Sequence, residues 1–294
     1  MSGVAVECTV DGWLDELTRC ALYSTVAIAL PGRLGEGGFL HPLERSSESG
    51  VLKTLGTRIG FRVGADDPAV RQALIAAVEQ QLGWVNRPGD WDVNVTRTGG
   101  GWIAEIGPLS WMRRFGQLER LPWSTTPLVA EVLVRLAKLR PGQRIIDPFC
   151  GTGTILLAVR RREPTSRVLG TDHDPRVIAI ATRNSGGSID LANAKAEAIP
   201  IPAGSVDRII TNLPFGKQVG SHHANRVLYP AVLSEIARVL SADGRVVLLT
   251  EDKRLLRQAI EQQKTLKLVR HRLLKYNGAT PTAYVLTRPR QPRR

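Results

Sequence analysis

The chain has 294 residues, 43% of them hydrophobic, and a formal charge of +13; this is enough apolar material for two packed domains and excludes a disordered chain. Its three cysteines, Cys8, Cys20 and Cys150, lack the paired spacing of a zinc site and cannot build a disulfide framework, which points to a reducing, cytoplasmic home. The apolar run 21–30 is too short to span a bilayer and follows the acids Glu7, Asp11, Asp15 and Glu16, so neither a membrane anchor nor a signal peptide is expected.

Charge is unevenly spread. Residues 1–110 hold 9 Lys and Arg against 13 Asp and Glu, whereas residues 111–294 hold 31 against 14. Phosphate contacts supply most of the sequence-independent affinity for nucleic acid, so the second region is expected to carry the grip on a polyanion.

Taken in order, the first 60 residues predict only short strands, near Val4–Cys8 and Ser24–Leu30, followed by turn material at Pro31-Gly32 and Gly35–Gly38. From Arg58 the pattern sharpens: a strand through Gly60–Val63, a helix over 68–82, and a hairpin joining Trp91–Val95 to Trp102–Ile106 about Thr98–Gly101. Trp84, Trp91 and Trp102 have the size to stack on bases, but tryptophans at strand spacing are more often core. Residues 1–110 read as an N-terminal α+β domain, 111–123 as a linker and 124–294 as a second domain. In the linker, Arg113, Arg114 and Arg120 stand beside Trp111, Phe115 and Trp123. That interleaving suits contact with a nucleic-acid backbone and base, or equally a solvated linker anchored by its aromatics. Ser124-Thr125-Thr126-Pro127 then opens a helix running to Leu139, with Pro127 in its first turn.

From Arg144 apolar strands alternate with helices, the signature of a parallel sheet with crossovers. Strands are expected at 144–147, 167–171, 189–193, 206–211 and 244–249, with helices beginning near Thr152, Pro175, Asn225 and Asp252. Leu266–Leu274 and Ala283–Thr287 have no helix between them and so predict an antiparallel closing pair. The basic tail from Arg288 is expected to be disordered.

The most telling stretch of this region is Ile145 to Ile155, an apolar strand that breaks into a glycine loop and opens a helix. Gly151 and Gly153 let a ligand approach the backbone, and the following helix offers unpaired N–H groups. A dinucleotide fingerprint needs a third glycine where Leu156 stands, and a pyrophosphate would meet the carboxylate of Asp147. S-adenosylmethionine carries a sulfonium and an ammonium but no phosphate, so the same acid attracts it. Val168–Asp172 reads as a second strand ending in an acid suited to ribose hydroxyls, and Val206–Thr211 as a third that ends at the sheet's crevice with Asn212-Leu213-Pro214-Phe215.

Asp147–Thr154 and Thr211–Gly216, with Leu228-Tyr229 and Arg238–Leu240 downstream, resemble class I S-adenosylmethionine-dependent methyltransferases that modify amino groups. The likeness is greatest to RNA guanine 2-amino methyltransferases carrying a THUMP-type N-terminal domain; the second half of the first region, from Arg58, resembles a reduced THUMP domain, more loosely. The resemblance implies an α/β fold with a doubly wound, seven-stranded Rossmann-like sheet behind a smaller α+β domain, S-adenosylmethionine as cofactor, and RNA, tRNA ahead of rRNA, as partner. Carried over residue by residue, Asp147 faces the cofactor's amino group with Thr126 bordering its methionine end. Phe149, Gly151, Gly153 and Thr154 form the loop beneath it, and Asp172 holds the ribose with His173 alongside. The adenine contact falls at Ala196 and Glu197, where this chain departs from the family pattern by reading Lys195-Ala196-Glu197. No metal is implied.

The acceptor chemistry suits the Asn-Leu-Pro-Phe motif. An amino group on a purine is a poor nucleophile because its lone pair is delocalised, so a site must hold it in line with the methyl group. Asn212 offers a side-chain oxygen, Leu213 its carbonyl, Pro214 fixes the turn and Phe215 stacks on the base, with Asn212 also bordering the cofactor. Arg113, Arg114, Lys217 and Arg226 are the candidate phosphate contacts by charge, with His222 and His223 as weaker ones. The same motif would hold an adenine 6-amino group in DNA or RNA, or a glutamine amide, and an RNA-binding protein without activity is the rival of another class. Cys150, inside the glycine loop without a neighbouring base, reads as packing rather than as a nucleophile.

Overall fold

The computed structural model describes residues 17, 23, 25–32, 35–110, 118–215, 222–274 and 279–289, and its chain contacts divide it between Gln117 and Leu118 into two units. The expected strand at 4–8, Cys8, Cys20, Trp111, Arg113, Arg114, Phe115, Lys217 and residues 290–294 lie outside the described residues.

In the first unit, β1 (Ala27–Leu30), α1 (His41–Glu48), β2 (Gly60–Gly64), α2 (Pro68–Leu82), β3 (Val85–Asn86), β4 (Val93–Thr98) and β5 (Gly101–Ile106) follow one another. The strands form one sheet in the order β1-β5-β4-β2-β3. The α2 helix starts where the sequence signals it, because the Asp67 carboxylate accepts the N–H groups of Ala69 and Val70 at 2.8 and 3.4 Å and Pro68 has no N–H to satisfy. It stops at Gly83, whose φ of 65° is left-handed. The helix crosses between β2 and its parallel partner β3, the ordinary way to join parallel strands. Neither α1 nor β3 was expected from the sequence. The N-cap position of α1, Leu40, offers no side-chain cap, and β3 has only two residues. Leu43, Phe61, Leu74, Val78, Val93, Val95, Ala104 and Ile106 are enclosed in the core. Trp84 joins them, and Trp102 meets Phe39 edge to face with ring centroids 6.3 Å apart.

The second unit is a seven-stranded sheet. Its strands are β6 (Arg144–Asp147), β7 (Arg167–Asp172), β8 (Asp190–Asn193), β9 (Val206–Asn212), β10 (Leu240–Thr250), β11 (Lys267–Leu273) and β12 (Thr282–Thr287), in the order β11-β12-β10-β9-β6-β7-β8. All pairs are parallel except those of β12, which is antiparallel to β10 and β11. Among the described residues five helices cover it: α3 (Pro127–Ala137), α4 (Thr154–Arg162), α5 (Pro175–Ser185), α6 (His222–Val239) and α7 (Lys253–Gln262). Alternate strand residues bury on opposite faces. Ile146, Ile209, Val246, Leu248, Tyr284 and Leu286 pack with α6 and α7. Ile145, Ile210, Val247, Leu249, Ala283 and Val285 pack with α3 and α4.

The strand order reverses direction between β6 and β9, and an open α/β sheet binds ligands outside the C-terminal ends of its strands at such a switch point. Asp147 and Asn212 end those two strands. At the other end of the sheet, the Nε atoms of Arg208 and Arg245 donate to the carbonyls of Ala137 and Leu136, both at 2.9 Å. These bonds occupy the unpaired C-terminal carbonyls of α3 and anchor that helix to β9 and β10. Arg288, expected in a disordered tail, is described: its Nε donates to the Leu240 carbonyl at 3.1 Å.

Candidate active site

The glycine loop takes its shape from backbone angles that favour glycine. Gly151 and Gly153 sit at φ 51° and 85°, in the left-handed region where a Cβ is strained. A Cβ built on Gly151 would meet nothing within 4 Å, so the loop is open there, whereas one on Gly153 would reach the Cβ of Ala181 at 3.4 Å. Leu156, in place of a third glycine, is enclosed against Gly170 of β7, where an added Cβ would come within 2.4 Å of its Cδ1. The neighbouring strand supplies the small residue that lets α4 pack closely.

Two carboxylates frame the loop. Asp147 is 1% exposed; its Oδ1 accepts the Phe149 N–H at 3.0 Å, and its Oδ2 is buried without a hydrogen-bond partner. Burial pushes its pKa up to about 7; the Thr211 hydroxyl, near but outside hydrogen-bond geometry, and the Phe149 N–H oppose this, and Asp172 adds to it. Asp172 ties the loop to the end of β7. Its Oδ2 accepts the Gly151 N–H at 3.0 Å and its Oδ1 the Asp174 N–H at 3.1 Å. His173 Nδ1 lies 3.2 Å from the same Oδ1, with the ring 66% exposed. A carboxylate has about four acceptor positions, so Asp172 keeps capacity for a ligand. Burial, with Asp147 and Asp172 nearby, pushes the Cys150 thiol up and keeps it protonated, in keeping with a packing role.

Asn212 ends β9 with one end of its carboxamide bonded and the other unpaired. Its Nδ2 donates to Thr125 Oγ1 at 2.9 Å, while its Oδ1 is buried with no partner. The residues after it are held from behind: the Leu213 N–H donates to the Leu249 carbonyl at 2.9 Å, and Asn225 Nδ2 and the Tyr229 hydroxyl both reach the Pro214 carbonyl at 2.8 Å. That hydroxyl also lies 2.8 Å from Thr250 Oγ1 at the end of β10. The Leu213 side chain is in the core, and Phe215 is half-buried. A third segment, ahead of α3, borders the loop. Ser124 Oγ lies 3.1 Å from Thr152 Oγ1, and Asn184 Nδ2 donates to the carbonyls of Thr152 and Glu119 at 2.8 and 2.9 Å. Thr126 is the N-cap residue of α3, yet its hydroxyl makes no cap bond and is buried without a partner.

Buried polar atoms are nearly always hydrogen-bonded in folded proteins, so each exception calls for a reason. Thr126 Oγ1, Asp147 Oδ2, Thr154 Oγ1, Thr171 Oγ1, Thr211 Oγ1 and Asn212 Oδ1 lack partners and belong to the C-terminal strand ends and the helix starts of this unit, where an open α/β sheet forms its ligand crevice. Apart from the side-chain Oδ1 of Asn225, the other such atoms of this unit, among the described residues, are four arginine Nε atoms and the Ser166 hydroxyl. The crevice set, acceptor-rich with one carboxylate oxygen, fits a ligand bearing an ammonium and hydroxyls. No group of three or more His, Cys, Asp or Glu placed to hold a metal is found among the described residues, nor a helix long and apolar enough to cross a membrane.

Of the remaining sequence candidates, Ala196 is buried in the core, while Glu197 and Arg226 are exposed. Sequence reading missed Thr125, Asn184, Asn225, Tyr229 and Thr250 as partners of the motifs. Asn225 and Tyr229, one helical turn apart, were legible as a shared face; Thr125 and Asn184 carried no local signal.

The sheet order, the glycine loop and the two acids at strand ends define a class I methyltransferase fold. The chain belongs to the family of RMKL-like methyltransferase domains, whose model matches residues 124–280. It is 37% identical over 184 residues to a tRNA (guanine(6)-N2)-methyltransferase of Thermus thermophilus, covering 61% of this chain and 53% of that protein. To the tRNA (guanine(6)-N(2))-methyltransferase THUMP3 of Homo sapiens it is 31% identical over 188 residues, 58% of this chain and 37% of that one. The chain thus spans about half or less of these relatives' length. The crystal structure of TrmN from Thermus thermophilus superposes with a TM-score of 0.67 at 27% identity, covering 97% of this chain and 88% of that one.

Proposed function

We propose that this protein transfers a methyl group from S-adenosylmethionine to the 2-amino group of a guanosine in RNA, with tRNA as the substrate. The observation that carries the reading is Asn212 Oδ1, buried without a partner at the end of β9, beside the crevice whose acceptor groups suit a cationic cofactor. The activities named for the relatives point the same way, as does the excess of 31 Lys and Arg over 14 Asp and Glu in residues 111–294. The fit to the cofactor is chemical: Asp147 Oδ2 for its ammonium, Asp172 for its ribose hydroxyls, Gly151 and Gly153 for close backbone approach, and Thr126 and Thr154 bordering its methionine end.

Bound S-adenosylmethionine supplies an electrophilic methyl group. The chain's own residues supply orientation: Asn212 Oδ1 and the Leu213 carbonyl accept the two N–H bonds of the substrate amine, which turns its lone pair toward the methyl group. Phe215 lies against the base. Once methylated, the nitrogen is positively charged and acidic, so its proton leaves to water and no strong base is needed. Alignment of this kind contributes about 7 to 11 kcal/mol in well-ordered systems. Arg113, Arg114, Lys217 and Arg226 are assigned to substrate phosphates, and the second half of the N-terminal domain, from Arg58, to a THUMP-like platform for the RNA, in a cytoplasmic protein. Labelled S-adenosylmethionine, unmodified tRNA and rRNA, and nuclease digestion test this. Label in 2-methylguanosine from tRNA is the expected result, and label in 6-methyladenosine, in rRNA alone or in protein overturns the assignment.

A further inference from the structure

A carboxamide has two ends of opposite polarity, and only its oxygen can accept from an amine. Asn212 therefore works on an amino group only while Oδ1 is left free to accept, which requires that Nδ2 find its partner within the protein. An NH2 group removed from water without an acceptor is unfavourable, as any unsatisfied donor is, and the reversed rotamer would set a donor against the donor of the amine. Thr125 supplies that partner: its Oγ1 accepts from Nδ2 at 2.9 Å, which leaves Oδ1 as the unpaired end. Thr125 is on neither the glycine loop nor β9. It stands between Ser124, fixed by the Leu121 N–H at 2.9 Å and the Thr152 hydroxyl at 3.1 Å, and Thr126, whose carbonyl accepts the Ala130 N–H at 2.9 Å to begin α3. The far end of α3 is tied to the sheet through Arg208 and Arg245. The hydroxyl is thus presented from a braced segment.

We propose that Thr125 is a positioning residue for methyl transfer, holding the Asn212 carboxamide with its oxygen toward the acceptor amine; this rests on the role given to Asn212 above. Thr125 touches neither the methyl group nor the base in this role. It sets which end of Asn212 the acceptor meets, and so favours a nitrogen that donates two hydrogens over a ring nitrogen or carbonyl oxygen that only accepts.

Thr125→Val removes the hydroxyl at nearly constant shape, and Thr125→Ser keeps it. In full-length protein labelled with nitrogen-15 asparagine, the Asn212 side-chain NH2 signal is assigned by its loss in Asn212→Ala. Its solvent exchange is expected to be slow in wild type and in Thr125→Ser and faster by about tenfold or more in Thr125→Val. With RNA, kcat is expected to fall about 10- to 100-fold in Thr125→Val and to recover in Thr125→Ser, while the Kd for S-adenosylmethionine stays within about twofold. An NH2 signal that ignores Thr125→Val overturns the proposal. So does a Thr125→Ser variant as slow as Thr125→Val, or a parallel loss of cofactor affinity, which would make Thr125 part of the cofactor site. Should wild type transfer no methyl to any RNA, the functional reading fails while the NH2 signal still decides whether Thr125 orients Asn212.

Discussion

Polar side chains in the first unit's sheet are paired with one another, whereas several of those buried at the strand ends of the second unit keep an atom without a partner. On β2, β4 and β5, Arg62 Nε donates to Asn94 Oδ1 and Asn94 Nδ2 to Glu105 Oε2, both at 3.1 Å. The Arg62 guanidinium also lies 4.4 Å from the centre of the Trp91 ring. These are direct cross-strand neighbours, and their groups satisfy one another as sheet pairs do. Among the described residues of that unit, only Asn86 Oδ1 is buried without a partner. In the second unit, Asp147, Thr126, Thr154, Thr171, Thr211 and Asn212 each retain one such atom. A satisfied network stabilises a sheet; an unsatisfied set grouped at a switch point stores binding capacity at the cost of stability.

Substitutions test that contrast, because a change in the unsatisfied set should act on function and one in the satisfied set on stability. Asn212→Ala should lower kcat by about a hundredfold or more with cofactor affinity nearly unchanged, as read by single-turnover kinetics and calorimetry. Asp172→Ala should do the reverse, weakening S-adenosylmethionine by about 10- to 100-fold, since it removes a charged acceptor and frees the Gly151 N–H from its strap. Equal loss of both parameters in both variants would erase the distinction between acceptor and cofactor residues.

Asp147 gives a pH signature. Its pKa is raised by burial to about 7, so the folded, ligand-free protein holds a proton that the unfolded chain releases at lower pH. The stability tied to that proton is present below the ordinary carboxylate range and is lost as pH rises toward about 7. The Tm of the ligand-free protein should fall across this window, flattening in Asp147→Asn, while affinity for the cationic cofactor rises over the same range. An affinity independent of pH would remove Asp147 from the ammonium site.

Smaller effects lie further from the crevice. Tyr229→Phe deletes the hydroxyl that meets the Pro214 carbonyl and Thr250; a stability loss of about 1 kcal/mol and a few-fold lower kcat are expected. Arg62→Ala breaks the bonds of the paired network at a half-buried site; denaturant titration should show a loss of about 1 kcal/mol or less, with cofactor affinity unchanged.

Much of the second unit was legible because its signals are local. Alternating strands and helices, Pro175 behind Asp174 at the start of α5, and a glycine loop after an apolar strand need no tertiary knowledge. The strands at 144–147 and 206–211 and the antiparallel closing pair follow that pattern. The first unit was harder to read: α1 has no capping side chain, and β3 is two residues paired edge-on to β2, an interaction decided by a partner about 25 residues away.

By itself the sequence determined that an acid would stand at the mouth of a glycine loop, that a second would close the next strand, and that Asn-Leu-Pro-Phe would end a third, because each is a statement about neighbours along the chain. Only the tertiary structure decided which atoms of those residues remain available. The Pro214 carbonyl is taken by Asn225 and Tyr229, Asp172 is shared with the Gly151 N–H, and Asn212 gives its Nδ2 to Thr125. Hydrogen bonds between residues 11 to 87 positions apart are set by how the sheet brings its strand ends together, and no spacing along the chain encodes them.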